Sequence, residues 1–124
     1  MNFTTLGCVE ALGMSDGRIK DDQITASDTD GKAYPHLARL HNMPKRKSGE
    51  PTFWSPPPGK IQTVYLQITF DTLMTVTGIA TQGHYDQDIK EYASAYTVSY
   101  RNGGGFVHLG VRYLDFILCK VHKA

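Results

Sequence analysis

The sequence has almost no excess of charge of either sign: 124 residues carry a formal net charge of +1. Nucleic-acid binding needs a field of clustered cations, so this balance gives no reason to expect a nucleic-acid partner. One local cluster, Lys45-Arg46-Lys47, is the exception. No apolar run is long enough to span a bilayer, so no transmembrane segment is expected. Met1 to Cys8 lacks a basic stretch followed by an apolar one. It is not read as a secretory signal, and for a domain working outside the cell the export signal is expected on sequence beyond this chain. Cysteine is scarce, with only Cys8 and Cys119. Two cysteines permit one disulfide without demanding it. A bridge would close a long loop and remove about 4 to 5 kcal/mol of unfolded-state freedom; two separate thiols stand as the open alternative. The five histidines, His36, His41, His84, His108 and His122, show no metal-ligand spacing. There is no nucleophile elbow, phosphate loop or His-Glu metal motif, and no acid/base pair can be nominated. The expectation is therefore a chain that is not an enzyme and needs no cofactor or metal.

What is present points to strands. The length suits one domain, and 40% hydrophobic with 20% charged residues is ordinary for a globular protein. In Thr63 to Phe70, Val64, Leu66, Ile68 and Phe70 alternate with Tyr65, Gln67 and Thr69. That is the period of a half-buried strand, with suitable β-branched and aromatic content. Leu73 to Gln82 follows after Asp71-Thr72, and the two read as neighbouring antiparallel strands. Tyr92 to Tyr100 places Tyr92, Tyr96, Val98 and Tyr100 on one face, before a turn at Asn102-Gly103-Gly104-Gly105. Asp16-Gly17 and Asp30-Gly31 are turn dipeptides, and Pro56-Pro57-Pro58-Gly59 is a loop. His41 to Pro51 reads as an exposed basic loop, and no capped amphipathic helix is evident. Several short strands favour a sandwich or barrel. Asn2-Phe3-Thr4 is a glycosylation sequon.

Leu12-Gly13-Met14, Gly17-Arg18-Ile19 and Asp22-Gln23-Ile24-Thr25-Ala26-Ser27 occur in that order near the start. Ala38-Arg39-Leu40, Phe53-Trp54, Tyr65-Leu66-Gln67-Ile68-Thr69-Phe70, Thr77-Gly78-Ile79-Ala80-Thr81-Gln82-Gly83 and Tyr96-Thr97-Val98-Ser99-Tyr100 follow. In this order and spacing they resemble the discoidin, or coagulation factor V/VIII C-type, family. The resemblance runs from Cys8 to Tyr100 and implies an all-β, galactose-binding-like antiparallel β-sandwich, or jelly roll. The domain is placed at 8–124, with 101–124 unmatched. The family closes with further strands and a second cysteine, so the sandwich is expected to be incomplete, and Cys119 is not assigned that role. Phe106 to Val121, with Val107, Leu109, Val111, Leu114, Phe116, Ile117, Leu118 and Val121, is a candidate to fill the gap.

The resemblance also implies an extracellular adhesion or recognition module that binds through loops at one end of the sandwich. Three segments correspond to those loops: Asp28 to His36, His41 to Thr52 and His84 to Glu91. Their candidate ligand-binding residues are Asp28, Asp30, Lys32, Tyr34, Met43, Lys45, Arg46, Lys47, His84, Tyr85 and Asp86. The first segment has no tryptophan, leucine or phenylalanine, which makes it a poor membrane wedge and suits it to a glycan or a polar protein surface. Tyr34, Tyr85 and Trp54 offer faces for a sugar ring, and neighbouring Asp, His and Lys offer hydrogen bonds to hydroxyls. Anionic phospholipid is the alternative ligand, through Met43 and Lys45-Arg46-Lys47 at about 1 kcal/mol per basic residue. A third reading is an accessory domain of a larger secreted enzyme or receptor. Asp28, Asp30, Asp86 and Asp88 lack a calcium-loop spacing, and Asp28 and Asp30 read as turn formers. Cys8, Arg39 and Trp54 are expected to be structural; an arginine between apolar strand residues usually pairs internally.

Overall fold

The structure is a computed structural model and describes residues 11–42, 49–76, 78–86, 89–113 and 121–123. Asn2, Cys8, Met43, Lys45, Arg46, Lys47, Asp88 and Cys119 lie outside the described residues. The chain divides into two compact units, one formed by Leu12–Thr72 and the other carrying the described strands from Met74 onward.

The first unit begins with a loop that glycine makes possible. Gly13 sits at φ 112, and a Cβ there would lie 2.5 Å from the Arg18 Cβ. Only glycine combines that backbone with that close approach. Asp16 then folds the turn: its carboxylate accepts from the Arg18 N–H at 3.0 Å and from Arg18 Nε at 2.8 Å. The Ile19 N–H closes the loop on the Gly13 carbonyl at 3.1 Å. Ile19 is buried as a result, only 4% exposed.

A 3₁₀ turn, Asp21–Gln23, leads into strand β1, Ile24–Ala26. The Gln23 side chain accepts from the Lys20 N–H at 2.8 Å and donates to the Thr69 carbonyl at 2.8 Å. It thereby ties the start of β1 to the end of β2, Leu66–Ile68. The two strands pair antiparallel, with Ile24 opposite Ile68, Thr25 opposite Gln67 and Ala26 opposite Leu66. Bonds from Thr69 N–H to the Gln23 carbonyl (2.9 Å) and from Ser27 N–H to the Tyr65 carbonyl (3.1 Å) lengthen the ladder at both ends. Ile24, 3% exposed, is the buried residue of β1. Burial of a side chain of this size stabilises by about 1.5 to 3 kcal/mol.

The second unit is built from antiparallel pairs. Strand β3, Met74–Val76, pairs with β8, Val121–Lys123; β4, His84–Asp86, with β5, Ile89–Glu91; β6, Ala95–Tyr100, with β7, Val107–Tyr113. Segments 63–70 and 73–82, read as neighbours, thus take their ladder partners elsewhere, β2 from β1 and β3 from β8. The residues after Tyr100 supply two strands, β7 and β8. Along β6 the burial alternates, Tyr96 and Val98 half-buried between exposed Ala95, Thr97 and Ser99. The alternation fails at Tyr100, which is 52% exposed. The cause is a register shift between Thr97, opposite Val111, and Ser99, opposite His108: β7 accommodates an extra residue beside Gly110, where a bulge is tolerated. Arg101 lies over the Phe106 ring, 5.0 Å from its centroid, bracketing the glycine-rich turn between β6 and β7.

Candidate functional site

The site develops from the loop after β1. Asp28 fixes its base. One carboxylate oxygen accepts from the Thr29 N–H at 2.9 Å, and the other accepts from Lys60 Nζ at 2.8 Å. The Asp28 carbonyl accepts from Trp54 Nε1 at 3.1 Å. Lys60 reaches back because Pro57-Pro58-Gly59 makes a tight turn, closed by the Lys60 N–H on the Pro57 carbonyl at 3.1 Å. Gly59 supplies the required φ of 82. The hydrogen bond from Lys60 holds the Asp28 carboxyl below its usual range, and the same bond raises the Lys60 ammonium.

Beyond Asp28 the loop is pinned rather than free. The Asp30 N–H donates to the Ser55 carbonyl at 2.8 Å, and the Ser55 N–H donates to the Ala33 carbonyl at 3.4 Å. The Thr29 hydroxyl also donates to the Ala33 carbonyl, at 2.5 Å, and the Ala33 N–H returns to the Asp30 carbonyl at 2.9 Å. Ala33 is buried, 4% exposed. The loop therefore has a fixed inner side, and Lys32 and Tyr34 flank the buried alanine on the solvent side.

Pro35 opens a 3₁₀ turn, Pro35–Leu37, with its φ already suited to the first helical position. The turn brings His36 parallel to Tyr34: ring centroids are 5.8 Å apart and the planes differ by 12°. Arg39 follows the turn instead of lying in a strand. It donates from Nη1 to the Met14 carbonyl at 2.9 Å and from Nη2 to Asp21 at 2.5 Å, with its side chain 16% exposed. Asp21 is held below the usual carboxylate range chiefly by that hydrogen bond.

Lys32, Tyr34, His36 and Leu37 from the first loop and Glu50 and Pro51 from the second line an open cavity of about 220 Å³. Tyr34 is 47% exposed there. Lys32 and Glu50 make no ion pair among the described residues, with each other or with a third group. The cavity thus offers an aromatic face, two apolar side chains, a cation and a carboxylate. That set can hold a small polar ligand having one apolar face.

The structure brings Asp28, Asp30, Lys32, Tyr34 and Trp54 together around one loop. Asp28 and Trp54 form its frame, and Lys32 and Tyr34 line the cavity. His84, Tyr85 and Asp86 are in the other unit, on a strand where a loop was expected: β4 and β5 form a hairpin with Tyr85 opposite Lys90. Tyr, Ile and alternating polar residues on each side of a short connection suit such a pair. Met43, Lys45, Arg46 and Lys47 lie outside the described residues. His36, Leu37, Glu50, Pro51 and Lys60 were not among the residues nominated from the sequence. A Tyr-Pro-His triplet offers one local signal, since proline pre-sets the φ of a turn between two aromatic rings. Among the described residues no group of three or more His, Cys, Asp or Glu side chains is placed to hold a metal ion. No helix among them is long and apolar enough to cross a membrane.

Residues 23–111 match the profile of the F5/8 type C domain. Lactadherin of Rattus norvegicus is 35% identical over 105 residues, which cover 79% of this chain and 23% of that protein. Discoidin domain-containing receptor A of Caenorhabditis elegans is 38% identical over 99 residues, covering 76% of this chain and 12% of the receptor. Coagulation factor VIII of Sus scrofa is 36% identical over 97 residues, covering 78% of this chain and 4% of the factor. The chain thus spans less than a quarter of the length of each of these relatives. No solved structure matches it. The matched family has a galactose-binding-like β-sandwich fold, and the antiparallel strand pairs described above agree with that class.

Proposed function

The chain belongs to the F5/8 type C domain family, and from that premise we propose that it is an extracellular recognition module whose first loop binds a glycan, or a polar protein surface, in the Lys32–Tyr34–His36–Glu50 cavity. The observation that carries this reading is the cavity itself: an exposed Tyr34 ring stacked on His36, lined also by Lys32 and Glu50, which form no ion pair among the described residues. A tyrosine face packs against the C–H face of a sugar ring, and flanking polar groups orient its hydroxyls. The Asp28–Lys60 and Trp54 contacts hold the loop in place before a ligand arrives, which lowers the ordering cost of binding.

A glycan array probed with the folded chain tests the reading, together with Tyr34→Ala. Binding to a defined set of glycans, weakened about tenfold or more by Tyr34→Ala, is expected. Absence of binding to every glycan and to matrix proteins would reject it. The Lys45-Arg46-Lys47 cluster keeps a second reading in view, attachment to anionic phospholipid. Sedimentation with phosphatidylserine-containing and neutral vesicles separates the two. Because the curated relatives are several times longer than this stretch, service as one module of a larger secreted enzyme or receptor is compatible with either ligand.

A further inference from the structure

The cavity's charges narrow the ligand. Resting on the reading of this cavity as a glycan site, we propose that it takes an acidic sugar, a uronic or sialic acid residue, rather than a neutral one. Elsewhere in the same unit, charged side chains near this loop are engaged in building it: Asp28 with Lys60, and Arg39 with Asp21. Lys32 and Glu50 are different. They have opposite charge, line one 220 Å³ cavity and form no ion pair with each other. A ligand that satisfies both must present an anion to Lys32 and hydrogen-bond donors to Glu50. A sugar carboxylate supplies the first, and ring hydroxyls supply the second.

The remaining walls fit the same ligand. Tyr34 offers its face to the C–H side of a pyranose ring, and Leu37 and Pro51 give the apolar floor that such a ring requires. His36, stacked on Tyr34, adds a ring N–H for a carboxylate or hydroxyl oxygen. The Asp21 carboxylate is already bound by Arg39. A neutral sugar would offer Lys32 hydroxyl oxygens but no charge to match it. A sulfate or phosphate ester without ring hydroxyls would leave Glu50 facing an anion.

The test is a matched pair of probes: a galacturonic acid trisaccharide and its carboxyl-reduced, neutral counterpart. Each is titrated into the whole chain by calorimetry. The acid form is expected to bind about tenfold more tightly, as one added charge-assisted hydrogen bond implies. Lys32→Met should bring the ratio of the two affinities to about one without changing the unfolding midpoint. Tyr34→Ala should weaken both probes about equally. Raising the salt from low to high ionic strength should narrow the gap, because the Lys32 contact is solvent-exposed. Equal affinity for the two sugars, or an acid preference that survives Lys32→Met, overturns this inference while leaving the glycan reading standing. Failure of the folded chain to bind either sugar, and any other glycan, overturns both.

Discussion

Leu12–Thr72 and the stretch from Met74 onward are held together in different ways. In the first, side chains bond to distant backbone: Gln23 to Thr69, Arg39 to Met14, Trp54 to Asp28. Its apolar residues Ile19, Ile24 and Ala33 are the buried ones among the described residues. In the second, ladders of backbone bonds dominate; large apolar side chains are exposed in both units, Ile61 and Tyr65 in the first as much as Tyr92 and Phe106 in the second. Side-chain-to-backbone bonds need particular residues at particular places. Backbone ladders accept many sequences. A site that depends on precise placement is accordingly better supported in the first unit, and the cavity is found there.

The largest expected effect comes from breaking the tightest backbone turn of the first unit. Gly13→Ala combines a φ of 112 with a 2.5 Å approach to the Arg18 Cβ. It should destabilise by about 2 kcal/mol or more. Gly103→Ala, in the β6–β7 turn, meets nothing within 4 Å and has a φ of 70. Its cost should be about 1 kcal/mol, from the left-handed backbone alone. Urea unfolding of both variants measures the difference, and equal losses would erase the contrast between the units.

Arg39→Met comes next. It removes the bonds to the Met14 carbonyl and to Asp21. The loss of a charge-assisted bond at a largely buried side chain should cost about 2 kcal/mol. Trp54→Phe keeps an aromatic ring and removes only the N–H bond to the Asp28 carbonyl. About 1 kcal/mol is expected. It should also loosen the loop that carries Tyr34, so sugar affinity should fall even where the fold persists. Hydrogen exchange at Asp30 and Ala33, whose N–H groups close that loop, would report the loosening directly.

How far these features could be read from the sequence follows the same division. Alternation in Thr63 to Phe70 located β2, though its ladder is only Leu66–Ile68, with Gln23 and Ser27 extending it. The dipeptide Asp16-Gly17 announced a turn that is present, because a short-range carboxylate bond needs no tertiary context. β6 was legible as far as the register shift set by the extra residue in β7. β7 also shows its alternation in Val107, Leu109 and Val111, yet no family motif marked it. The β4–β5 hairpin was not legible: His84, Asp86, Lys90 and Glu91 read as loop, and pairing is a property of two segments together. In the cavity, Lys32 and Tyr34 could be named from loop composition. Glu50 and Pro51 fall inside the second loop that the family resemblance marked, His41 to Thr52, but composition did not single them out; tertiary folding brings them to residues 32–37. Lys60 likewise gains its role through the proline turn that returns it to Asp28.

The smallest effect should come from the Asp28–Lys60 pair, since both side chains are exposed and water screens them. Its sign is still definite. The Asp28 carboxyl is lowered in the folded chain, first by the hydrogen bond from Lys60 and then by that from the Thr29 N–H. Its contribution is therefore present above the ordinary aspartate range and lost as pH falls through the depressed folded value, below about pH 4. Lys60 is raised by Asp28, so its contribution is present at neutral pH and is lost only as pH climbs through its raised value. Trp54 is the chain's one tryptophan and bonds to the Asp28 carbonyl, so its fluorescence follows this unit. Acid titration of Lys60→Met should show a shallower loss of stability below pH 4 by that probe. The β6–β7 hairpin, followed through hydrogen exchange of its ladder N–H groups, should lose stability alike in both proteins. A change in the hairpin that matched the change at Trp54 would mean that the two units unfold as one, and the contrast between them would then be one of construction alone, not of stability.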